Sequence, residues 1–128
     1  MNDTQTKAQK IAIIEDELSI CDMYRIKLEQ AGYIVELAHN GQEGLVLAES
    51  FKPDLILLDL RMPVMSGDEM LQRLRETDWG ANIRVIILTN ISRDEAPRSL
   101  QFLNIDRYIV KAHYTPAQVE QTVNEILR

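Results

Sequence analysis

The chain has 128 residues, of which 45% are hydrophobic and 27% charged, and its formal net charge is −6. This length suits one domain with a buried core, and a lone cysteine, Cys21, excludes a disulfide framework and a thiolate zinc site. The acidic charge repels nucleic acid and anionic lipid, and no apolar run approaches the ~18 residues that span a bilayer. We therefore expect no direct binding to nucleic acid or membranes. Residues 1–9 are polar and lack a signal-peptide pattern, so we expect a cytoplasmic protein. We expect these residues to form a disordered or frayed segment.

Five short apolar runs, rich in β-branched residues and leucine, predict five strands. They lie at 10–14, 33–37, 54–58, 83–88 and 107–110. The first, third and fourth runs are almost continuously apolar, which is typical of central parallel strands covered on both faces.

Helical patterns fill the gaps between the predicted strands. Apolar residues with 3–4 spacing predict a first helix that ends at Gly32, a left-handed C-cap. Asn40, Ser66 and Thr115 each precede a Glu or Gln by three residues, a spacing that predicts capped starts for the second, third and last helices.

The segment before the fifth strand contains a proline, Pro97. A proline inside a helix is unfavourable but is accepted at the first helical position. We therefore predict a short fourth helix at 97–103 that ends at a left-handed Asn104.

The alternation of strands and helices predicts an α/β fold. Right-handed crossovers then give a doubly wound, five-stranded parallel sheet with five helices on its two faces. We expect the flavodoxin-like strand order 2-1-3-4-5, because it places the two most apolar early runs at the centre.

Polar residues follow four of the runs, at the sheet edge where α/β proteins form their sites. They are Glu15, Asp16, Asp59, Thr89 and Lys111. Three adjacent carboxylates stay ionised together only around a cation, and oxygen ligands favour Mg²⁺, Mn²⁺ or Ca²⁺. With a lysine and a hydroxyl beside them, they suit phosphoryl transfer to a carboxylate.

Other chemically reactive residues have simpler interpretations. We expect His39 and His113 to be loop residues rather than metal ligands. Cys21 is expected to be a small core residue.

Several motifs together resemble the receiver domains of two-component response regulators. They are Ile13-Ile14-Glu15-Asp16-Glu17, Asp54-Leu55-Ile56-Leu57-Leu58-Asp59-Leu60-Arg61-Met62-Pro63 with Gly67, Val85-Ile86-Ile87-Leu88-Thr89 and Tyr108-Ile109-Val110-Lys111. On this resemblance the receiver domain spans residues 10–128, and no output domain is expected.

The resemblance implies a role for each site residue. Asp59 corresponds to the phosphoacceptor, and Lys111 to the lysine that contacts the phosphoryl group. Glu15, Asp16 and Asp59 correspond to the acids that hold Mg²⁺, with the backbone carbonyl of Arg61 as a further ligand.

The resemblance also implies a switch and partners. Thr89 and Tyr108 correspond to the pair that reorients on phosphorylation and alters the face formed by the fourth helix, fifth strand and fifth helix. The phosphoryl donor would be a sensor histidine kinase or a histidine phosphotransfer protein, and an unknown downstream protein would bind that face. The chain would then be no enzyme beyond phosphotransfer to itself and slow self-dephosphorylation.

Two positions depart from the family pattern. Asn90 stands where a smaller residue is usual, and Ala112 stands where the family usually has a proline in a cis peptide bond. A cis bond before a non-proline residue costs about 2.5–4 kcal/mol, so we predict a trans Lys111–Ala112 bond with Lys111 near Asp59.

Three other functions are compatible with parts of this pattern. A flavodoxin-type electron carrier conflicts with the acids at 15–17, which would repel a flavin phosphate. A haloacid-dehalogenase-type phosphatase needs a second acid where the chain has Arg61. A receiver-fold interaction module that works without phosphorylation remains the alternative, because of Asn90 and Ala112.

Overall fold

The computed structural model describes residues 7–128, with a five-stranded parallel sheet at its centre. The strands are β1 (Lys10–Ile14), β2 (Ile34–Ala38), β3 (Leu55–Leu58), β4 (Arg84–Thr89) and β5 (Arg107–Val110). Their spatial order is β2-β1-β3-β4-β5, which confirms the predicted doubly wound, flavodoxin-like topology. Every strand boundary lies within one residue of its prediction.

Four α-helices connect the strands. They are α1 (Leu18–Gln30), α2 (Gly41–Phe51), α3 (Gly67–Arg75) and α4 (Pro116–Leu127). Three of them begin at the predicted caps: Asn40 and Ser66 each accept an N–H bond from three residues on, and Thr115 forms a complete capping box with Gln118. Gly32 follows α1 with a φ of 98°, the predicted left-handed conformation.

The segment between β4 and β5 differs from the predicted α-helix at 97–103. It contains two 3₁₀ segments, Arg93–Glu95 and Arg98–Phe102, so residues 7–128 hold four α-helices rather than five. The residue before a proline avoids the helical conformation, and Ala96 has a ψ of 150°, which separates the two segments. Asn104 has a φ of 60° and is left-handed as predicted.

Two hydrophobic clusters cover the two faces of the sheet. Because successive strand residues point to opposite faces, Ile13 and Leu57 pack with α1 and α4, whereas Ile14 and Leu58 pack with α2 and α3. Cys21 is fully buried in the first cluster, as predicted, and burial raises the pKa of its thiol to about 12. Both faces of the sheet are thus covered by helices.

No peptide bond between described residues is cis, which confirms the trans bond between Lys111 and Ala112. Residues 1–6 of the predicted frayed segment 1–9 lie outside the described residues, while the carbonyl of Gln9 accepts a bond from the Ile34 N–H at 3.0 Å. Within residues 7–128, every helix is too short or too polar to span a bilayer.

Candidate functional site

The three predicted acids meet at the carboxyl edge of the sheet. Glu15 and Asp16 follow β1, and Asp59 follows the neighbouring β3, where the Asp59 N–H donates to the Ile14 carbonyl at 3.0 Å. One carboxylate oxygen from each acid lies within 4.8 Å of those of the other two. Glu15 and Asp59 are buried, whereas Asp16 is exposed. The sheet topology therefore produces a compact carboxylate cluster with one open side.

Lys111 joins this cluster from the edge strand of the sheet. It lies in a 3₁₀ segment, Lys111–His113, directly after the edge strand β5. Its ammonium group donates to Glu15 Oε1, and it lies 3.3 Å from Asp59 Oδ2. All three side chains are at most 10% exposed, so the charges interact with little screening by water.

Burial and charge shift the pKa values of Glu15 and Lys111. Burial raises the pKa of the Glu15 carboxyl above its ordinary value, although the hydrogen bond from Lys111 acts in the opposite direction. Burial lowers the pKa of the Lys111 ammonium, but the hydrogen bond to Glu15 and the charge of Asp59 outweigh it, and its pKa is raised overall. Lys111 is therefore a stable cation at neutral pH.

Asp59 is held by backbone groups of the loop that follows it. Its Oδ1 accepts a bond from the Leu60 N–H at 2.7 Å. Gly67 lies against the Asp59 backbone so closely that a Cβ at position 67 would meet the Asp59 carbonyl oxygen at 2.0 Å. Only glycine permits this approach, which closes the β3–α3 loop beside the acid.

The acids open into a cleft of about 300 Å³. It is lined by Asp16, Glu17, Asp59, Arg61, Thr89, Asn90, Ile91, Glu95 and Lys111. At about 30 Å³ per water molecule, the cleft has room for a phosphoryl group and a hydrated cation. Asn90, one of these lining residues, is exposed.

Thr89 and Tyr108, the predicted switch pair, are linked through one backbone residue. Thr89 is buried at the end of β4, and its hydroxyl oxygen accepts a bond from the Ile91 N–H at 3.4 Å. The Tyr108 hydroxyl donates to the Ile91 carbonyl at 2.7 Å. Tyr108 lines the neighbouring cavity rather than the cleft with the acids. The contacts of Ile91 are not predictable from the sequence, since they are made by its backbone and do not depend on its side chain.

The donor set fits a divalent cation. Carboxylate oxygens are the ligands that Mg²⁺ prefers, and described residues contribute three such groups without a histidine or thiolate among them. Lys111 and the Glu17 N–H already bind the two oxygens of Glu15. Of the three acids in the cluster, Asp16 and Asp59 line the cleft and Glu15 lies behind them.

Comparison with known proteins agrees with this geometry. A family model described as "Response regulator receiver domain" matches residues 11–124. Among solved structures, the chemotaxis response regulator CheY4 of Vibrio cholerae superposes with a TM-score of 0.85 at 28% sequence identity, over 94% of this chain and 99% of that one.

Two curated relatives are longer proteins. The chain is 39% identical over 118 residues to the uncharacterized transcriptional regulatory protein YkoG of Bacillus subtilis (strain 168), covering 91% of the chain and 48% of the relative. It is 35% identical over 122 residues to the alkaline phosphatase synthesis transcriptional regulatory protein PhoP of the same organism, covering 94% and 49%. The chain thus spans about half the length of these relatives.

Proposed function

The chain belongs to the response regulator receiver family, and we propose that it accepts a phosphoryl group on Asp59 in a Mg²⁺-dependent reaction. The observation that carries the proposal is the convergence of Asp59 with Glu15, Asp16 and Lys111 at one end of an open cleft. Receiver domains are signalling proteins, and the proposed chemistry modifies the chain itself rather than an external substrate.

In the proposed reaction, a carboxylate oxygen of Asp59 attacks the phosphorus of a phosphohistidine. An acyl phosphate forms, and the bond from phosphorus to the imidazole nitrogen breaks, with its electron pair leaving on the imidazole. The product adds roughly −2 charge beside Glu15 and Asp16. The Lys111 ammonium lies 3.3 Å from Asp59 and offsets part of that charge.

Other residues have supporting roles in the proposal. Bound Mg²⁺ would neutralise charge on the phosphoryl oxygens, with Glu15, Asp16, Asp59 and the Arg61 carbonyl as its protein environment. The Thr89 hydroxyl, which now accepts the Ile91 N–H bond, would rotate to donate to the new phosphoryl oxygens.

The proposed partners are proteins. A sensor histidine kinase or histidine phosphotransfer protein would supply the phosphoryl group. Tyr108, whose hydroxyl bonds to the Ile91 carbonyl, would carry the change at Thr89 to a face made by the 3₁₀ segment Arg98–Phe102, β5 and α4, where a downstream protein binds.

The test uses acetyl phosphate as the donor. With Mg²⁺, the wild-type chain should gain one phosphoryl group by intact-mass spectrometry, and chelation of divalent metal should prevent the gain. Asp59→Asn should abolish it. Asp54→Asn is the matched control, because Asp54 lies at the opposite end of the same strand and binds the Lys10 N–H. If wild-type protein gains no phosphoryl group, the phosphorylation-independent interaction module is the better function.

Mg²⁺ binding is tested separately by thermal unfolding. A ligand that binds only the folded state at 100 times its Kd stabilises it by about 2.7 kcal/mol. Mg²⁺ should raise the Tm of the wild type but not of Asp16→Ala. Asp22→Ala removes an equal charge from an exposed position on α1 and should keep the Mg²⁺ response.

A further inference from the structure

Two side chains with no role in the proposed chemistry bind the backbone of the acidic cluster. His39 Nδ1 lies 3.1 Å from the Glu15 carbonyl oxygen, and Cys21 Sγ lies 3.2 Å from the same oxygen. A carbonyl oxygen only accepts hydrogen bonds, so both groups act as donors, and His39 carries its proton on Nδ1. The carbonyl's two lone pairs can accept both bonds.

These contacts replace a strand partner that the sheet does not supply. The Glu15 N–H still donates to the Ala38 carbonyl at 3.0 Å, but β2 ends at Ala38. The Glu15 carbonyl therefore lies beyond the ladder of β1 and β2, in a buried position. His39 is the next residue after β2, and its side chain binds the Glu15 carbonyl.

This one peptide group joins Glu15 to Asp16, two of the three acids in the cluster. A peptide group is planar, so the Glu15 carbonyl and the Asp16 nitrogen move together. Glu15 is also bound by Lys111 and the Glu17 N–H, whereas within residues 7–128 the Asp16 carboxylate accepts no hydrogen bond. The position from which the exposed Asp16 side chain extends is thus set by its backbone and not by a bond to its carboxylate.

We propose that His39 is a positioning residue for the divalent-cation site, because its bond to the Glu15 carbonyl orients the Glu15–Asp16 peptide group. This inference rests on the proposed function, since it assigns Asp16 and Asp59 to the cation. Cys21 is the secondary anchor, because a thiol is a weaker donor than an imidazole N–H. Removing a group that orients a metal ligand typically weakens metal binding 10–100-fold.

The experiment compares His39→Leu with His39→Asn by calorimetric titration of Mg²⁺ alone. The asparagine amide places an N–H near the position of Nδ1, whereas leucine offers no donor. His39→Leu should weaken Mg²⁺ binding by about tenfold. His39→Asn should restore most of the wild-type affinity, which a purely steric role for the ring would not produce.

Two further measurements separate positioning from general loss of stability. Val123→Ala truncates a buried residue of α4, so it lowers stability without touching the site, and it should leave the Mg²⁺ affinity unchanged. In metal-free protein, the amide nitrogen chemical shift of Asp16 should change in His39→Leu and remain near wild type in His39→Asn, since that nitrogen shares the peptide group with the Glu15 carbonyl.

The possible outcomes separate the positioning role of His39 from the proposed cation site. Wild-type affinity in His39→Leu, beside normal Mg²⁺ binding by the wild type, would overturn the positioning role and leave the proposed function intact. Equal weakening in His39→Leu and Val123→Ala would also overturn it. Absence of Mg²⁺ binding by the wild type would overturn the cation site itself, and the positioning role with it.

Discussion

Lys111 and Glu15, separated by 96 positions in the chain, form a buried ion pair at the carboxyl edge of the sheet. The pair connects the edge strand β5 to the central strand β1. Because the Lys111 ammonium also lies 3.3 Å from Asp59, one cation compensates two buried carboxylates. Breaking such a pair leaves charge without a partner in a poorly hydrated position.

We predict that Lys111→Met destabilises the metal-free protein in a pH-dependent way. The pKa of Glu15 is raised mainly by burial, so its contribution to stability is present below its unfolded-state pKa and is lost as the pH rises through the folded-state value. Lys111 opposes this rise in the pKa of Glu15, so without Lys111 more stability is lost as the pH rises. Urea unfolding in chelator should show a deficit of about 3–5 kcal/mol at pH 7 that shrinks towards pH 4.5.

A second variant identifies the carboxylate responsible for this pH dependence. Glu15→Gln in the Lys111→Met background removes the buried charge and should recover stability at pH 7. The difference between the two variants should vanish as the pH falls. A deficit for Lys111→Met that is the same at every pH would contradict the explanation.

Arg75, at the end of α3, is predicted to be a stability determinant that lysine cannot replace. Its guanidinium donates to the carbonyls of Leu103 and Asn104 at 2.8 and 2.9 Å. It also donates to the carbonyls of Gly80 and Ile83 at 2.9 and 2.7 Å. It thereby joins the loops that lead into β4 and β5. Lysine has three donors on one atom and cannot span both loops.

Arg75→Lys should lower the free energy of unfolding by about 2 kcal/mol, since hydrogen bonds to charged groups contribute about 1.5–3 kcal/mol each. Arg73→Lys is the matched control on the same helix. Arg73 forms an exposed pair with Glu69, and its replacement should cost less than about 1 kcal/mol. Equal urea midpoints for the two variants would show that the bonds of Arg75 contribute little.

Val64 is predicted to be strained, so that replacing it stabilises the protein. It lies in the β3–α3 loop with a φ of 69°, a left-handed conformation that a β-branched residue rarely adopts. The Met65 N–H donates to the Pro63 carbonyl at 2.7 Å across this residue, which forms a tight three-residue turn. The Val64 side chain is 76% exposed, so little packing is lost when it is changed.

Asparagine accepts the left-handed conformation, and Val64→Asn should stabilise the protein by about 1 kcal/mol. For a domain of this size, the Tm should rise by roughly 3–5 °C in calorimetry. Val46→Asn makes the same change at another exposed position, on α2, where it should alter stability by less than about 0.5 kcal/mol. A similar response at both positions would argue against strain at Val64.

Ala112→Pro is predicted to destabilise the protein. Lys111 and Ala112 lie in a 3₁₀ segment joined by a trans bond, and a proline disfavours helical conformation in the residue before it. The substitution should cost more than about 1 kcal/mol and weaken the contacts of Lys111 with Glu15 and Asp59. Ala112→Ser tests the position without the ring, and it should behave like wild type in thermal unfolding. A gain in stability for Ala112→Pro would show that the loop favours the geometry usual in the family.

Most of the fold was predictable because its determinants are local. The caps at Asn40, Ser66 and Thr115 depend on residues three positions apart, and all three helices begin there. The segment after β4 was the exception. Its proline fits the first position of a helix, but its effect on Ala96 divides the segment, and only short 3₁₀ turns form.

The sequence by itself determined which residues reach the carboxyl edge. Apolar runs mark where strands end, and the parallel order brings those ends together, so Glu15, Asp16, Asp59 and Lys111 were expected at one place. Tertiary structure alone decided how they pair. Lys111 binds Glu15 as well as Asp59, and His39, expected to be an ordinary loop residue, binds the Glu15 carbonyl. Such contacts depend on distances between atoms of different elements, and no periodicity or spacing in the chain encodes them.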